Sequence, residues 1–220
     1  PAIKLLKDEF DAKSNEWADI IKIGRTHFQD AVPISLGQEI SGWSKQLDDA
    51  KLSILSSLEA LYYLPIGGTA VGTGINCPFD FSEEAIKIIN KDTNYNFKKS
   101  ENHYSLMASH HVLANIMCQL KNLAGSLFKI SNDIKILSSG PRAGIYELLI
   151  PQNEPGSSIM PGKVNPTQCE SLSMICTQIM GLEYAVSIAN CSGTLQMNEY
   201  KPLISFNLIK SIKLLSEGLI

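Results

Sequence analysis

The residues best suited to chemistry lie in three polar stretches that interrupt helix-patterned segments, and functional groups concentrate in such connections. In the stretch from Pro151 to Pro166, Pro155, Gly156, Pro161 and Gly162 bracket a short loop. Glycine lets such a loop flex and lets its backbone approach a ligand, while proline limits its conformations. Pro166 suits the first position of a following helix, with Asn165 as its cap. Lys163, Asn165 and a helix N-terminus then lie close together. A cation, an amide donor and free backbone N–H groups make a natural carboxylate site. A capped helix beside a solvated lysine uses the same residue types, and this physics alone leaves both readings open.

The stretch from Lys22 to Pro33 places Thr26 and His27 just before a proline-containing turn. Histidine moves protons near neutral pH. It is also commonly structural or simply exposed in a turn, and His103, His110 and His111 compete for the role. The glycine-rich stretch from Leu64 to Asn76 lacks the strand–helix context of a nucleotide motif. Gly72-Thr73-Gly74 therefore reads as a place of close packing rather than a phosphate loop. Cys77, Cys118, Cys169, Cys176 and Cys191 form no Cys-x-x-Cys pair and no zinc or iron–sulfur spacing. They read as reduced, partly buried thiols.

Long helices must position these stretches. Leu36, Ile40, Trp43, Leu47, Ala50, Ile54, Leu58 and Leu61 recur at helical steps, and Ser35 with Gln38 forms a capping-box pattern at their start. A second, unbroken helix is expected from Leu106 to Leu137, stopped by Ser139-Gly140-Pro141. A third runs through Leu172, Ile175, Ile179, Leu182 and Val186. A fourth, after Pro202, runs through Ile204, Leu208, Ile212, Leu215 and Leu219. A shorter helix covers Ser82 to Asn90, and the opening segment from Ile3 to about Ile21 is helical as well. The fold class is all-α: an elongated bundle of long helices whose extended apolar stripes also face partner chains.

The 220 residues carry a net charge of −3 and are 44% apolar, enough for a sizeable core. The charge gives no basic footprint for nucleic acid and no polybasic membrane patch. No unbroken apolar run reaches the roughly 20 residues that span a bilayer. The chain opens in mid-pattern at Pro1-Ala2-Ile3-Lys4, without a signal or transit pattern, and reads as an internal segment of a longer sequence.

The loop GSSIMPGKVNP, Gly156 to Pro166, resembles the signature of the fumarase/aspartase superfamily. Thr167-Gln168-Cys169-Glu170 after it, and GRTHFQDAVP from Gly24 to Pro33, resemble the class II fumarase branch. So do LPIGGTAVGTGIN, SGPRAGIYEL from Ser139 to Leu148, and NEYKP from Asn198 to Pro202. Gly162 and His27 stand where the aspartase branch typically has Ala and Gln. Ser105, His111 and Gln196 depart from the fumarase pattern.

The resemblance implies that residues 1–220 are the central helical domain of a homotetramer, with a 20-helix core and each active site shared between subunits. A substrate-binding region on the N-terminal side and a C-terminal helical domain lie outside the match. The implied reaction is reversible hydration of fumarate to L-malate, with no metal or organic cofactor. Ser157 is the implied general base, not distinguished by sequence from Ser158 beside it; Ser158 and Thr26, with Lys163 and Asn165, are the implied substrate-binding residues. Lys163 and Asn165 stabilise the aci-carboxylate. Thr26 and His27 handle the hydroxyl or water, with His27 oriented by Glu170. The implied partners are fumarate and L-malate, with neither nucleic acid nor membrane. The implied location is the cytoplasm of a bacterium or the mitochondrial matrix of a eukaryote. Aspartate ammonia-lyase and a non-catalytic oligomerisation module are the competing readings.

Overall fold

The computed structural model describes all 220 residues. It contains α1 (Ala2–Glu16), β1 (Ile21–Thr26), β2 (Gln29–Ser35), α2 (Leu36–Leu58), β3 (Tyr63–Leu64), α3 (Phe81–Thr93), β4 (Lys98–Lys99), α4 (His103–Ala108), α5 (His111–Leu137), α6 (Thr167–Cys191) and α7 (Lys201–Gly218). The helical class expected from periodicity holds, with two small two-stranded sheets added.

Residues 1–220 divide into two compact units. One comprises residues 1–51, 122–179 and 213–220; the other comprises 52–121 and 180–212. The boundaries fall inside α2, α5, α6 and α7, so each unit holds part of every long helix.

In the first unit, α2 starts as its capping box dictates. The Ser35 N–H donates to Gln38 Oε1 at 3.0 Å, and the Gln38 N–H donates to Ser35 Oγ at 3.1 Å. Leu36, Ile40, Trp43 and Leu47 then fall on one buried face, with Leu123, Leu127 and Ile130 of α5 and Ile179 of α6 also in the core. Trp43 stacks edge-on against Phe10 of α1 and donates its indole N–H to Asp133. Helix α1 ends earlier than expected, at Glu16, because the chain turns to meet α2. Ser14 Oγ donates to the Gly37 carbonyl, and the Gly37 N–H donates to the Trp17 carbonyl. A side chain at Gly37 has no room, since a Cβ there lies 2.3 Å from the Ser14 carbonyl oxygen.

The stretch after α1 is a β-hairpin, not the proline-containing turn expected. Strands β1 and β2 pair antiparallel from Ile21↔Ser35 to Thr26↔Gln29, leaving His27 and Phe28 as a two-residue connection. Both have positive φ, 54° and 60°, the primed turn that matches the twist of paired strands. Pro33 sits inside β2 opposite Ile23, which a two-stranded ribbon tolerates.

In the second unit, Ile86, Met107, Ile116, Met117, Leu120, Val186, Ala189 and Ile204 form the core. The helix expected to run unbroken from Leu106 is interrupted at Ser109, which is extended. The break frees the His110 N–H for Asn190 Oδ1, and the buried His110 ring meets the Asn198 carbonyl at 2.9 Å. Asn198, fully buried, donates through Nδ2 to the carbonyls of Ala189 and Ser192. Periodicity cannot see this polar plug.

The glycine-rich stretch packs closely inside this unit. A Cβ on Gly68 falls 2.8 Å from Met107 Sδ, and one on Gly72 falls 2.7 Å from the Tyr104 ring. On α7 the inner positions are Ile204, Asn207, Ser211 and Leu215, while Ile212, expected inside, is half exposed. Helix α6 also corrects the membrane count. It is long and apolar enough to span a bilayer by length and composition, because scattered small and polar residues still leave a high mean hydropathy. Its buried Cys176, Ile179, Val186 and Ala189 belong to the chain's own cores.

Candidate active site

The loop before α6 closes on itself. Asn165 Nδ2 donates to the Gly156 carbonyl at 2.8 Å, joining its two ends. Gly156 lies so close to the returning segment that a Cβ on it would sit 1.7 Å from the Lys163 carbonyl oxygen. Inside the closure, Ser157 Oγ accepts from two backbone N–H groups, Ile159 and Met160, each at 3.2 Å. Two convergent donors are the arrangement that stabilises negative charge on an oxygen. Ser157 is half-buried, whereas Ser158 is exposed and has no such donors. The two serines, equivalent in sequence, therefore differ in structure.

Asn165 was expected to cap the following helix. Its amide nitrogen instead ties the loop, and the first turn of α6 begins with the Pro166 carbonyl accepting from the Glu170 N–H. The Lys163 ammonium is exposed at the loop and forms no ion pair within the chain. Glu170 is exposed in the first turn of α6.

Thr26 and His27 lie elsewhere, at the tip of the β1–β2 hairpin, both exposed. His27 borders a cleft of about 310 Å³ with Phe28, Lys22, Arg25, Lys129 and Asp133. The cations of this cleft are all paired: Lys129 with Asp133, Lys22 with Glu39 and Glu147, Arg25 with Glu147. No hydrogen bond joins His27 to Glu170 within one chain, and none joins the hairpin tip to the loop. One chain thus holds two separate groups of candidate residues: a closed loop carrying Ser157, Lys163 and Asn165, and a hairpin tip carrying a hydroxyl and an imidazole.

A family model described as lyase matches residues 1–181. The chain belongs to the lyase family. Within it, the class II fumarate hydratase of Prochlorococcus marinus subsp. pastoris is 72% identical over 219 residues, covering all of this chain and 48% of that protein. That of Staphylococcus haemolyticus is 51% identical over the same coverage. Among solved structures, a class II fumarase from Schistosoma mansoni superposes with a TM-score of 0.96 at 44% identity, over 100% of this chain and 49% of that one. A fumarate lyase:delta crystallin from Brucella melitensis gives 0.97 at 38%, over 99% of this chain and 47% of that one. The chain spans about half the length of the curated relatives it matches.

Three residues of this lyase-family chain escaped the sequence reading: Lys22, Arg25 and Glu147. Burial pushes the Glu147 carboxyl up, but hydrogen bonds and charge from Arg25 and Lys22 outweigh it and hold the carboxyl below the usual carboxylate range. Only the conspicuous SGPRAGIYEL motif marked its neighbourhood. All five cysteines are free, as expected, and burial raises the Cys176 thiol to about 11.

Proposed function

We propose that this chain supplies two half-sites of a class II fumarate hydratase, catalysing reversible hydration of fumarate to L-malate. The observation that carries the reading is the Ser157 hydroxyl under two backbone N–H groups, in one closed loop with Lys163 and Asn165. In the malate direction the hard step is removal of a proton from the carbon beside a carboxylate. Serine is a very weak acid, so it can act as base only where its alkoxide is stabilised. The N–H groups of Ile159 and Met160 supply that stabilisation. As the proton leaves, the electron pair spreads onto the carboxylate, which gains a second negative charge. The Lys163 ammonium and the second N–H of the Asn165 amide are suited to meet it. Protonation of the departing hydroxyl falls to His27, beside Thr26, with Glu170 of another copy as the orienting carboxylate.

The separation of the two half-sites within one chain supports a site assembled from several copies, a homotetramer. Exposed Met174, Tyr184 and Ile188 on α6, with Phe206, Ile209 and Ile212 on α7, supply apolar surface for that contact. The similarity to fumarate hydratases favours hydration over ammonia addition, and the built loop favours catalysis over a purely structural module.

The test is to follow fumarate absorbance with the purified chain, then with the N-terminal part of a class II fumarate hydratase added. Turnover is expected on mixing only, and Ser157→Ala is expected to abolish it. Full turnover by the chain alone, or none from a folded, assembled mixture, would overturn the reading. Addition of ammonia in place of water would move it to the aspartase branch.

A further inference from the structure

The hairpin that carries Thr26 and His27 has little apolar packing to hold it. Residues 26–33 are exposed, and Phe28 at the tip is 72% accessible. Its attachment is polar and comes from an element to which the function above gives no role. After α5 the chain folds back tightly. The Ile145 N–H donates to Ser139 Oγ, the Tyr146 N–H to the Ser139 carbonyl, and the N–H groups of Glu147 and Leu148 both to the Leu137 carbonyl. Tyr146 takes a positive φ of 51° to complete this turn, a conformation that a bulky residue adopts only when its surroundings impose it. The result aims the Glu147 carboxylate at the hairpin stem.

Each oxygen of that carboxylate takes a different cation. Glu147 Oε1 accepts from Arg25 Nη2 at 2.8 Å, and Oε2 lies 2.7 Å from Lys22 Nζ. Oε2 is buried and accepts no hydrogen bond, so its contact with Lys22 is one of charge, and the Lys22 side chain is itself only 8% accessible. In a regular strand, residues 22 and 25 point to opposite faces. Here the ladder slips between Ile23 and Arg25, at Gly24, where a Cβ would lie 2.9 Å from the Val32 carbonyl oxygen. The bulge turns both cations to one side. Lys22 also reaches Glu39 of α2 at 2.6 Å, so the stem is tied to two elements at once.

We propose that Glu147 is a positioning residue: by gripping Lys22 and Arg25 with separate oxygens, it fixes the hairpin so that Thr26 and His27 stand at a defined place beside the C-terminal half of α5. The catalytic part of this statement rests on the function proposed above; the mechanical part does not. Glu147 need not touch substrate. Its effect passes through the strand, and misplacement of reacting groups by an ångström is enough to lower turnover by orders of magnitude.

The experiment compares the unchanged chain with Glu147→Gln, which keeps the shape and loses the charge, and with Glu147→Asp, which keeps the charge and is too short to span both cations. Arg25→Lys removes one arm and guards against failure of the Glu147 variants to fold. Hydrogen exchange is read separately for residues 24–31 and for 116–130, with hydration measured after adding the N-terminal part of a class II fumarate hydratase. In Glu147→Gln, exchange in 24–31 is expected to rise about tenfold or more while 116–130 stays within about twofold. The turnover number is expected to fall about tenfold or more with KM little changed, and Glu147→Asp and Arg25→Lys to fall between. Unchanged exchange at the hairpin, or an equal rise in both segments, would overturn the proposal. If the hairpin responds as expected but the mixture of unchanged chain and N-terminal part never hydrates fumarate, the anchor stands and the proposed function falls.

Discussion

Gly156→Ala tests whether closure of the loop before α6 sets the position of Ser157. The added Cβ would start 1.7 Å from the Lys163 carbonyl oxygen and 2.8 Å from its carbon. Real Cβ atoms stay at least 3.0 Å from such neighbours, so the two sides of the loop must part by about 1.3 Å. That movement stretches the 2.8 Å bond from Asn165 Nδ2 to the Gly156 carbonyl beyond hydrogen-bonding distance. The local loss is about 0.5–1.5 kcal/mol, and the exposed loop can reopen into water, so global stability should change by less than about 0.5 kcal/mol. Catalysis is far less forgiving. A misplacement of about 1 Å can lower turnover about a hundredfold, because in the proposed function Ser157 must reach the carbon while Lys163 and Asn165 hold the carboxylate beside it. The assay pairs thermal melting of the chain with fumarate absorbance in the reconstituted mixture. A turnover number within about threefold of the parent, with melting unchanged, would show that loop closure does not position the serine.

Three further outcomes are expected. Lys163→Ala should lower hydration several hundredfold, about 3–4 kcal/mol of lost charge stabilisation, while Lys87→Ala on α3, paired only with Glu84 at the surface, should be near neutral; equal activities would sink the assignment. Trp43→Ala should cost about 3–5 kcal/mol in denaturant unfolding, since the ring is only 3% accessible and its N–H meets Asp133; a loss below about 1 kcal/mol would refute its place in the core. The carboxyl of Glu147 is held below its ordinary range, so its contribution to stability is fully present above the unfolded value of about 4.3 and is lost as pH falls through the depressed folded value. The gap in melting temperature between the parent and Glu147→Gln should therefore stay open from neutral pH down to about 4.3, narrow below that, and be closed once the pH has fallen past the depressed folded value; closure between pH 8 and 6 would contradict the ion pairs.

The parts of the fold that obey one simple rule were legible in the sequence. The Ser35–Gln38 box, the face Leu36–Leu47 and the stop after Leu137 follow from capping chemistry and the helical period alone. The hairpin was hidden because His27-Phe28 is not the Asn-Gly or Asp-Gly that announces a primed turn, and Pro33 points to a turn where there is a strand. The break at Ser109 was hidden because its cause, the Asn190–Asn198 plug, lies about eighty residues away in sequence. At the site, residue types pointed to Lys163 and Asn165, and the family resemblance to Ser157. The physical difference between Ser157 and Ser158, and the tying role of Asn165, exist only in the loop's geometry. Glu147 was invisible for the same reason: a carboxylate gains its meaning from the two cations that a bulge at Gly24 turns toward it.

The turn at His27 and Phe28 has a consequence for how this sequence can change. Both residues occupy the left-handed region, which glycine enters at no steric cost and phenylalanine does not. Phe28→Gly therefore offers an easy gain in fold stability at a position with almost no packing to lose. The same exchange frees the backbone next to the imidazole. A library screened for thermal resistance alone would be drawn to this position and would return variants that melt later and turn over more slowly. Selection on activity would hold the strained pair in place.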